Sequence, residues 1–142
     1  MKFRFDKPTC QNIRKSLRKE WIETNGLGDY ASSSLICCNT RKYHGLLVAD
    51  LESPAGRHVL RSSLEESLLV GGRELCFSCR KHPGVFYPRG NEHLEEMDAG
   101  EWPVFRYRFG EVTLTRELML IPGHRLLLVR YEVRGTAPDT PP

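Results

Sequence analysis

Apolar and polar positions alternate through the second half of the chain in runs broken by glycine and proline, the signature of strands joined by tight turns. Leu68-Leu-Val70, Gly71-Gly72 and Glu74-Leu-Cys-Phe77 predict a hairpin whose two glycines supply positive φ. Val104–Phe109 alternates apolar with basic residues before Gly110, and Val112–Ile121 continues the pattern after it, predicting a second hairpin. Pro122-Gly123 marks the next turn, and Leu126–Val133 reads as a third long strand of the same antiparallel meander. Nearer the N-terminus, Leu46-Leu-Val48 between Gly45 and Asp50 predicts a short buried strand. Helix is expected at most over Asn12 to Glu20 and Glu92 to Met97. The fold class that follows is all-β, an antiparallel β-sandwich with at most one or two short helices.

The chain is divided as one sandwich domain over residues 1–135 and a Pro-rich tail over 136–142. On Leu126–Val133 the pattern puts Leu126, Leu128 and Tyr131 on one face and Leu127, Val129 and Val133 mostly on the other. Both faces then look apolar, and the nine residues after Val133 contain three prolines that cannot cover a sheet edge well. The chain is therefore expected to be an N-terminal piece of a longer one, and to self-associate through its C-terminal strands.

At 142 residues, with 39% hydrophobic and 27% charged content, the composition is that of an ordinary globular domain. A net charge of +3 argues against nucleic acid, which demands a concentrated basic face. The basic run Arg14 to Lys19 beside Trp21 reads as a solvated face. No run approaches the roughly twenty apolar residues of a membrane helix, and Met1–Asp6 lacks the apolar core of a signal peptide. Five cysteines without a regular framework, Cys10, Cys37, Cys38, Cys76 and Cys79, fit free thiols and a cytoplasmic location.

Candidate chemistry mostly fails on inspection. Cys76 and Cys79, with His82, have metal-ligand spacing, but a strand sends positions i and i+3 to opposite faces, so no metal site is expected. Ser32-Ser33-Ser34 with His44 lacks the strand-turn-helix elbow of a hydrolase nucleophile, and Gly26-x-Gly28 lacks the third glycine of a dinucleotide loop. Glycoside hydrolysis needs two carboxylates about 5 to 10 Å apart. Glu65-Glu66 and Glu95-Glu96, with Asp98 nearby, are adjacent acids with nothing around them to raise a proton affinity, so no catalytic residue and no cofactor is assigned.

The richest chemistry lies in Trp21-Ile-Glu-Thr-Asn-Gly-Leu-Gly-Asp-Tyr30 and Asn39-Thr-Arg-Lys-Tyr-His-Gly-Leu-Leu-Val48. Asn25-Gly26 and Gly28 predict a tight turn with exposed backbone N–H groups. Asn39, Arg41 and His44 crowd at the entrance of the Leu46–Val48 strand. Their donors and acceptors, with the faces of Tyr30 and Tyr43, suit a sugar ring, which offers many hydroxyls and one apolar face. The same residues also fit a plainer reading, in which Asn and Gly only make turns and Tyr30, Tyr43 and His44 only pack.

Those two stretches, read as EW…TNGLG-Y…NTR-YHGLLVA, resemble the N-terminal domain of bacterial and archaeal glycogen debranching enzymes of the amylo-α-1,6-glucosidase type. The resemblance is dense from Trp21 to Ala49 and continues as strand pattern from Gly71 to Val133. It implies a supersandwich-like domain that packs on a C-terminal catalytic (α/α)6 barrel and borders its glucan site. The parent would hydrolyse α-1,6-linked glucose at glycogen branch points, while this chain alone is expected to be inactive and to bind α-glucan weakly. By resemblance the sugar-binding or domain-interface positions are Trp21, Asn25, Gly26, Gly28, Tyr30, Asn39, Arg41, Tyr43, His44 and Gly45. Two departures stand out: Asp29 replaces the glycine usual at that place, and Cys37-Cys38 replaces small or polar residues. A free-standing glucan-binding module and a purely structural or interaction sandwich are the competing readings.

Overall fold

A computed structural model describes residues 3–135; the expected Pro-rich tail lies outside the described residues. Strands dominate. One antiparallel sheet has five strands in the order β1 (Phe3–Phe5), β10 (Leu94–Ala99), β11 (Pro103–Phe109), β12 (Val112–Leu120), β13 (Leu127–Arg134). A second has four in chain order: β2 (Glu20–Thr24), β3 (Tyr30–Ser34), β4 (Gly45–Leu51), β5 (Gly56–Arg61). Two separate hairpins intervene, β6 (Ser67–Val70) with β7 (Arg73–Cys76), and β8 (Cys79–His82) with β9 (Val85–Arg89). The sheets meet face to face through one core, as in an all-β sandwich. Trp21 of β2 packs edge-on against Phe105 of β11, ring centroids 6.1 Å apart, with Ala31, Leu46, Met97, Leu114 and Leu118 in the same cluster.

The predicted hairpins form where the turn chemistry sits. Gly71 and Gly72 have φ of 54° and 73° and close β6 onto β7. Gly110, at φ 62°, reverses β11 into β12, and β13 completes the meander.

Two helix expectations are corrected. The N-terminal helical segment is earlier and broken: α1 (Lys7–Gln11) and α2 (Ile13–Ser16) abut at Asn12. Asp6 and Asn12 each cap a helix start by accepting a backbone N–H three residues on, which ends one helix and begins the next. Glu20 instead opens β2 opposite Ser34. At Glu92–Met97 only a 3-10 turn over Gly90–His93 forms, and Leu94 onward is β10, an inner strand of its sheet between β1 and β11. Burial of Leu94 and Met97 on the sheet's inner face outweighs the weak helical propensity of the acidic residues between them.

The face assignment of β13 is also corrected for Tyr131. It pairs with Arg116 and so points inward with Leu127, Val129 and Val133, opposite Leu120, Leu118 and Leu114. The outward face carries Leu128, Arg130, Glu132 and Arg134, so only one face of the strand is apolar.

β12 buries every second residue, and one of them is Arg116. Its guanidinium lies 4.4 Å from the Phe105 ring centroid, donates to Glu66 and reaches Cys37 Sγ at 3.2 Å. Tyr131 also donates to Glu66. A buried cation in a sandwich core requires such compensation, because an unpaired charge there costs several kcal/mol.

Candidate functional site

The first motif is built as a latch. Between β2 and β3 the chain reverses through Gly26 and Gly28, at φ 80° and 93°. Asn25 is buried at the start of this turn: its Oδ1 accepts from Leu27 N–H at 2.9 Å, and its Nδ2 donates to Asp29 Oδ2 at 2.9 Å and to the His124 carbonyl at 3.0 Å. Its own carbonyl accepts from Gly123 N–H at 2.7 Å. The loop of one sheet is thereby tied to the β12–β13 turn of the other. The expectation of a loop with freely exposed donors is corrected at Leu27, whose N–H the Asn25 side chain takes.

Asp29 completes the latch. Its carboxylate is fully buried and accepts from Asn25, from Asp50 N–H at 3.0 Å, and from Arg125 Nε and Nη2 at 2.9 and 3.1 Å. The Arg125 guanidinium holds the carboxyl below the usual carboxylate range, aided by Asn25 and the Asp50 amide against the opposing effect of burial. The carboxylate that the sequence places in the loop thus points into the protein.

The second motif divides between packing and surface. Asn39 accepts from Ser33 Oγ at 2.7 Å and donates to the Ser62 carbonyl at 2.8 Å. Gly45 sits where a Cβ would meet Val59 Cγ1 at 2.9 Å, so no larger residue fits between β4 and β5. His44 is buried. Its Nδ1 accepts from Thr40 N–H at 3.1 Å, which puts the ring proton on Nε2, 3.4 Å from Glu20 Oε1. Burial lowers the His44 pKa, Glu20 opposes the shift and Arg41 adds to it.

Tyr43, Arg41 and Lys42 are exposed on the turn that leads into His44. Tyr30 donates its hydroxyl to the Tyr43 carbonyl at 3.0 Å, and the Arg57 guanidinium lies over both rings, 5.6 and 5.9 Å from their centroids. Lys42 Nζ is 5.2 Å from the Tyr43 ring centre, and Arg41 is ion-paired to Glu20. The result is an aromatic surface edged by three cations and one carboxylate, with hydrogen-bonding groups around an apolar face. Trp21 does not belong to it: its ring is buried in the sandwich, where Nε1 donates to the Ser34 carbonyl at 3.0 Å.

Sequence reasoning missed Arg57, Arg125 and Glu20. Arg57 is brought to the tyrosines by β5, which pairs Arg57 with Asp50, and no periodic signal marks that strand as amphipathic. Arg125 lies 96 residues from its partner.

The remaining candidates are occupied elsewhere. Ser32, Ser33 and Ser34 hydroxyls donate to Trp21 O, Asn39 Oδ1 and Cys38 O, not to His44. Glu65 pairs with Arg80, Glu66 with Arg116, Glu95 with Lys7, Glu96 with Arg106, and Asp98 with Arg4. Among the described residues no group of three or more His, Cys, Asp or Glu is placed to hold a metal ion. Of the two departing cysteines, Cys37 takes a left-handed backbone at φ 56° beneath Arg116, and Cys38 is buried. No described helix is long and apolar enough to cross a membrane.

No curated protein and no solved structure gives a significant match to the chain. A family model described as glycogen debranching enzyme N terminal matches residues 19–141, which takes in both motifs, both sheets from β2 onward and both hairpins. With the sandwich and the paired loops of its first third, the chain belongs to the family of glycogen debranching enzyme N-terminal domains.

Proposed function

We propose that this domain serves a cytoplasmic debranching enzyme by packing on its catalytic barrel and bordering the glucan site with the Tyr30–Tyr43 surface. The parent reaction is hydrolysis of the α-1,6-glucosidic bond at glycogen branch points. The observation that carries the reading is the exposed Tyr43 ring beside Tyr30, Arg57, Lys42 and Arg41. A glucose ring can lay its C–H face on such a tyrosine while its hydroxyls meet guanidinium and ammonium donors.

The domain contributes binding and shape, and the acid–base chemistry belongs to the barrel. Every adjacent-acid candidate here is engaged with arginine or lysine, so none is a carboxyl in a dry pocket awaiting a leaving-group oxygen. The Asn25–Asp29–Arg125 latch has a positioning role in this account. It holds the β2–β3 loop against the opposite sheet and so fixes where Tyr30, the next residue, presents its ring.

Isothermal titration calorimetry of the isolated chain with maltoheptaose tests the reading. A surface completed by another domain binds in the millimolar range, about −4 kcal/mol, and loses the signal in Tyr43→Ala. Micromolar binding would instead mark a free-standing module, and an affinity unchanged by Tyr43→Ala would remove this surface from the glucan path.

A further inference from the structure

We propose that Cys38 and Cys79 are a redox pair, which hydrogen peroxide converts into a disulfide bridging the turn after β3 to the start of β8. Both side chains lie in the sandwich core, 1% and 4% exposed, in the same apolar cluster. Their backbones are pinned. Ser34 Oγ accepts from Cys38 N–H at 3.0 Å and donates to the Cys38 carbonyl at 2.7 Å. Cys79 is registered against Arg89 of β9, and the next residue, Gly90, donates its N–H to the Ser78 carbonyl at 2.9 Å. A Cβ on Gly90 would fall 2.2 Å from the Phe77 carbonyl carbon, so the chain entering β8 is packed directly on backbone. The other buried thiols are turned elsewhere: Cys37 Sγ meets Arg116 Nη2 at 3.2 Å, and Cys10 donates to the Phe5 carbonyl at 3.6 Å.

The pair is chemically unequal. A hydrogen bond from the Cys79 thiol holds Cys38 below the ordinary thiol range, with the Lys81 amide adding to the shift and burial opposing it. The same contact, with burial, pushes the Cys79 thiol up. Cys38 is therefore the attacking sulfur and Cys79 the one that keeps its proton until the second step. Access selects a small oxidant. A cavity of about 10 Å³, room for one water-sized molecule, is lined by Cys37, Ser63, Ser78, Cys79, Arg80 and Arg116. Ser63 and Arg80 are part-exposed, and the buried Arg116 Nε has no hydrogen-bond acceptor of its own. In the first step Cys38 sulfur bonds to one peroxide oxygen, the O–O bond breaks, and the departing oxygen leaves as water with the Cys38 proton. The sulfenic acid so formed is then attacked by Cys79 sulfur: the S–S bond forms, the S–O bond breaks, and the oxygen leaves as a second water with the Cys79 proton. Two thiols lose two electrons and one peroxide gains them.

Peptide mass spectrometry of the full chain after peroxide tests the proposal. Trypsin releases residues 20–41, which hold Cys37 and Cys38, and residues 74–80, which hold Cys76 and Cys79. The double variant Cys37→Ser with Cys76→Ser leaves one thiol in each peptide and keeps both members of the pair, and circular dichroism checks that it is folded. Reduced, treated with a small excess of hydrogen peroxide under native conditions, alkylated in denaturant and digested, it is expected to yield the two peptides joined. Their mass should be two hydrogens below the sum, dithiothreitol should separate them, and Cys10 should stay free and alkylated. The same treatment of the chain unfolded in guanidinium should pair the three thiols without that preference. A folded double variant that gives no joined peptide would overturn the proposal, as would a bond to Cys10 or the same mixture of products from the folded and the unfolded chain.

Discussion

Arg125 clasps the buried carboxylate of Asp29 with two N–H donors, Nε to Oδ2 at 2.9 Å and Nη2 to Oδ1 at 3.1 Å, joining the β12–β13 turn to the β2–β3 loop. The pair closes one end of the sandwich. Asp29→Gly would leave one Asn25 amide N–H and the Asp50 N–H without their acceptor, while Asn25 keeps its bond to the His124 carbonyl. We expect a loss of about 2–4 kcal/mol by urea unfolding. A change below about 1 kcal/mol would mean that water replaces the carboxylate freely.

Acid sensitivity should follow from the same carboxylate and from His44. The folded pKa of Asp29 lies below its unfolded value near 3.8, so its stabilisation is present above that value and fades as pH falls through the folded pKa. The folded pKa of His44 lies below its ordinary 6.5 because the ring is buried, so the unfolded chain takes up the proton first and stability declines as pH drops below about 6.5. His44→Asn should flatten the stability profile just below about pH 6.5 while leaving the acid limb below about pH 3.8 in place. An unchanged slope over the upper window would show that His44 titrates alike in both states.

The buried cation offers a third test. Glu66→Ala leaves Arg116 in the core with Phe105 and Cys37 as its neighbours and should cost about 3–5 kcal/mol. Glu66→Leu combined with Arg116→Met removes both charges and should recover most of that loss in the same unfolding experiment. If the double variant is no more stable than Glu66→Ala, the ion pair contributes more than mutual compensation.

Turns and periodicity made the five-stranded sheet's meander and the Gly71-Gly72 hairpin readable, because glycine at positive φ and alternation of period two are local signals. The latch was not readable. Asn25 and Asp29 advertise a turn, but their partners at His124 and Arg125 lie nearly a hundred residues away and look like ordinary surface residues. Arg116 was hidden for the opposite reason, since a charge on a β12 position with apolar neighbours two residues either side gives no local hint that Glu66 will neutralise it. Of the surface residues, Tyr30 and Tyr43 stood out by type, whereas Arg57 joined them only through pairing of β4 with β5. Helix was misjudged at the acidic Glu92–Met97 segment, which lacks a strong period and where tertiary pairing decided β10, and at Asn12, whose side chain starts a new helix within the expected one.

Activity gives a fourth prediction. With its acidic pairs engaged by Arg80, Arg116, Lys7 and Arg106, the isolated chain should release no glucose from a branched limit dextrin above a buffer blank. Turnover that survives repurification and disappears in Glu66→Gln would place a catalytic carboxyl in this domain.

The most direct measurement of the central claim is a titration of the isotope-labelled chain with maltoheptaose followed by NMR. Fast-exchange shifts with millimolar saturation are expected, concentrated at Tyr30, Lys42, Tyr43 and Arg57, with the Asn25–Asp29 latch almost unmoved. Shifts centred elsewhere on the sandwich, or none at concentrations of tens of millimolar, would contradict it.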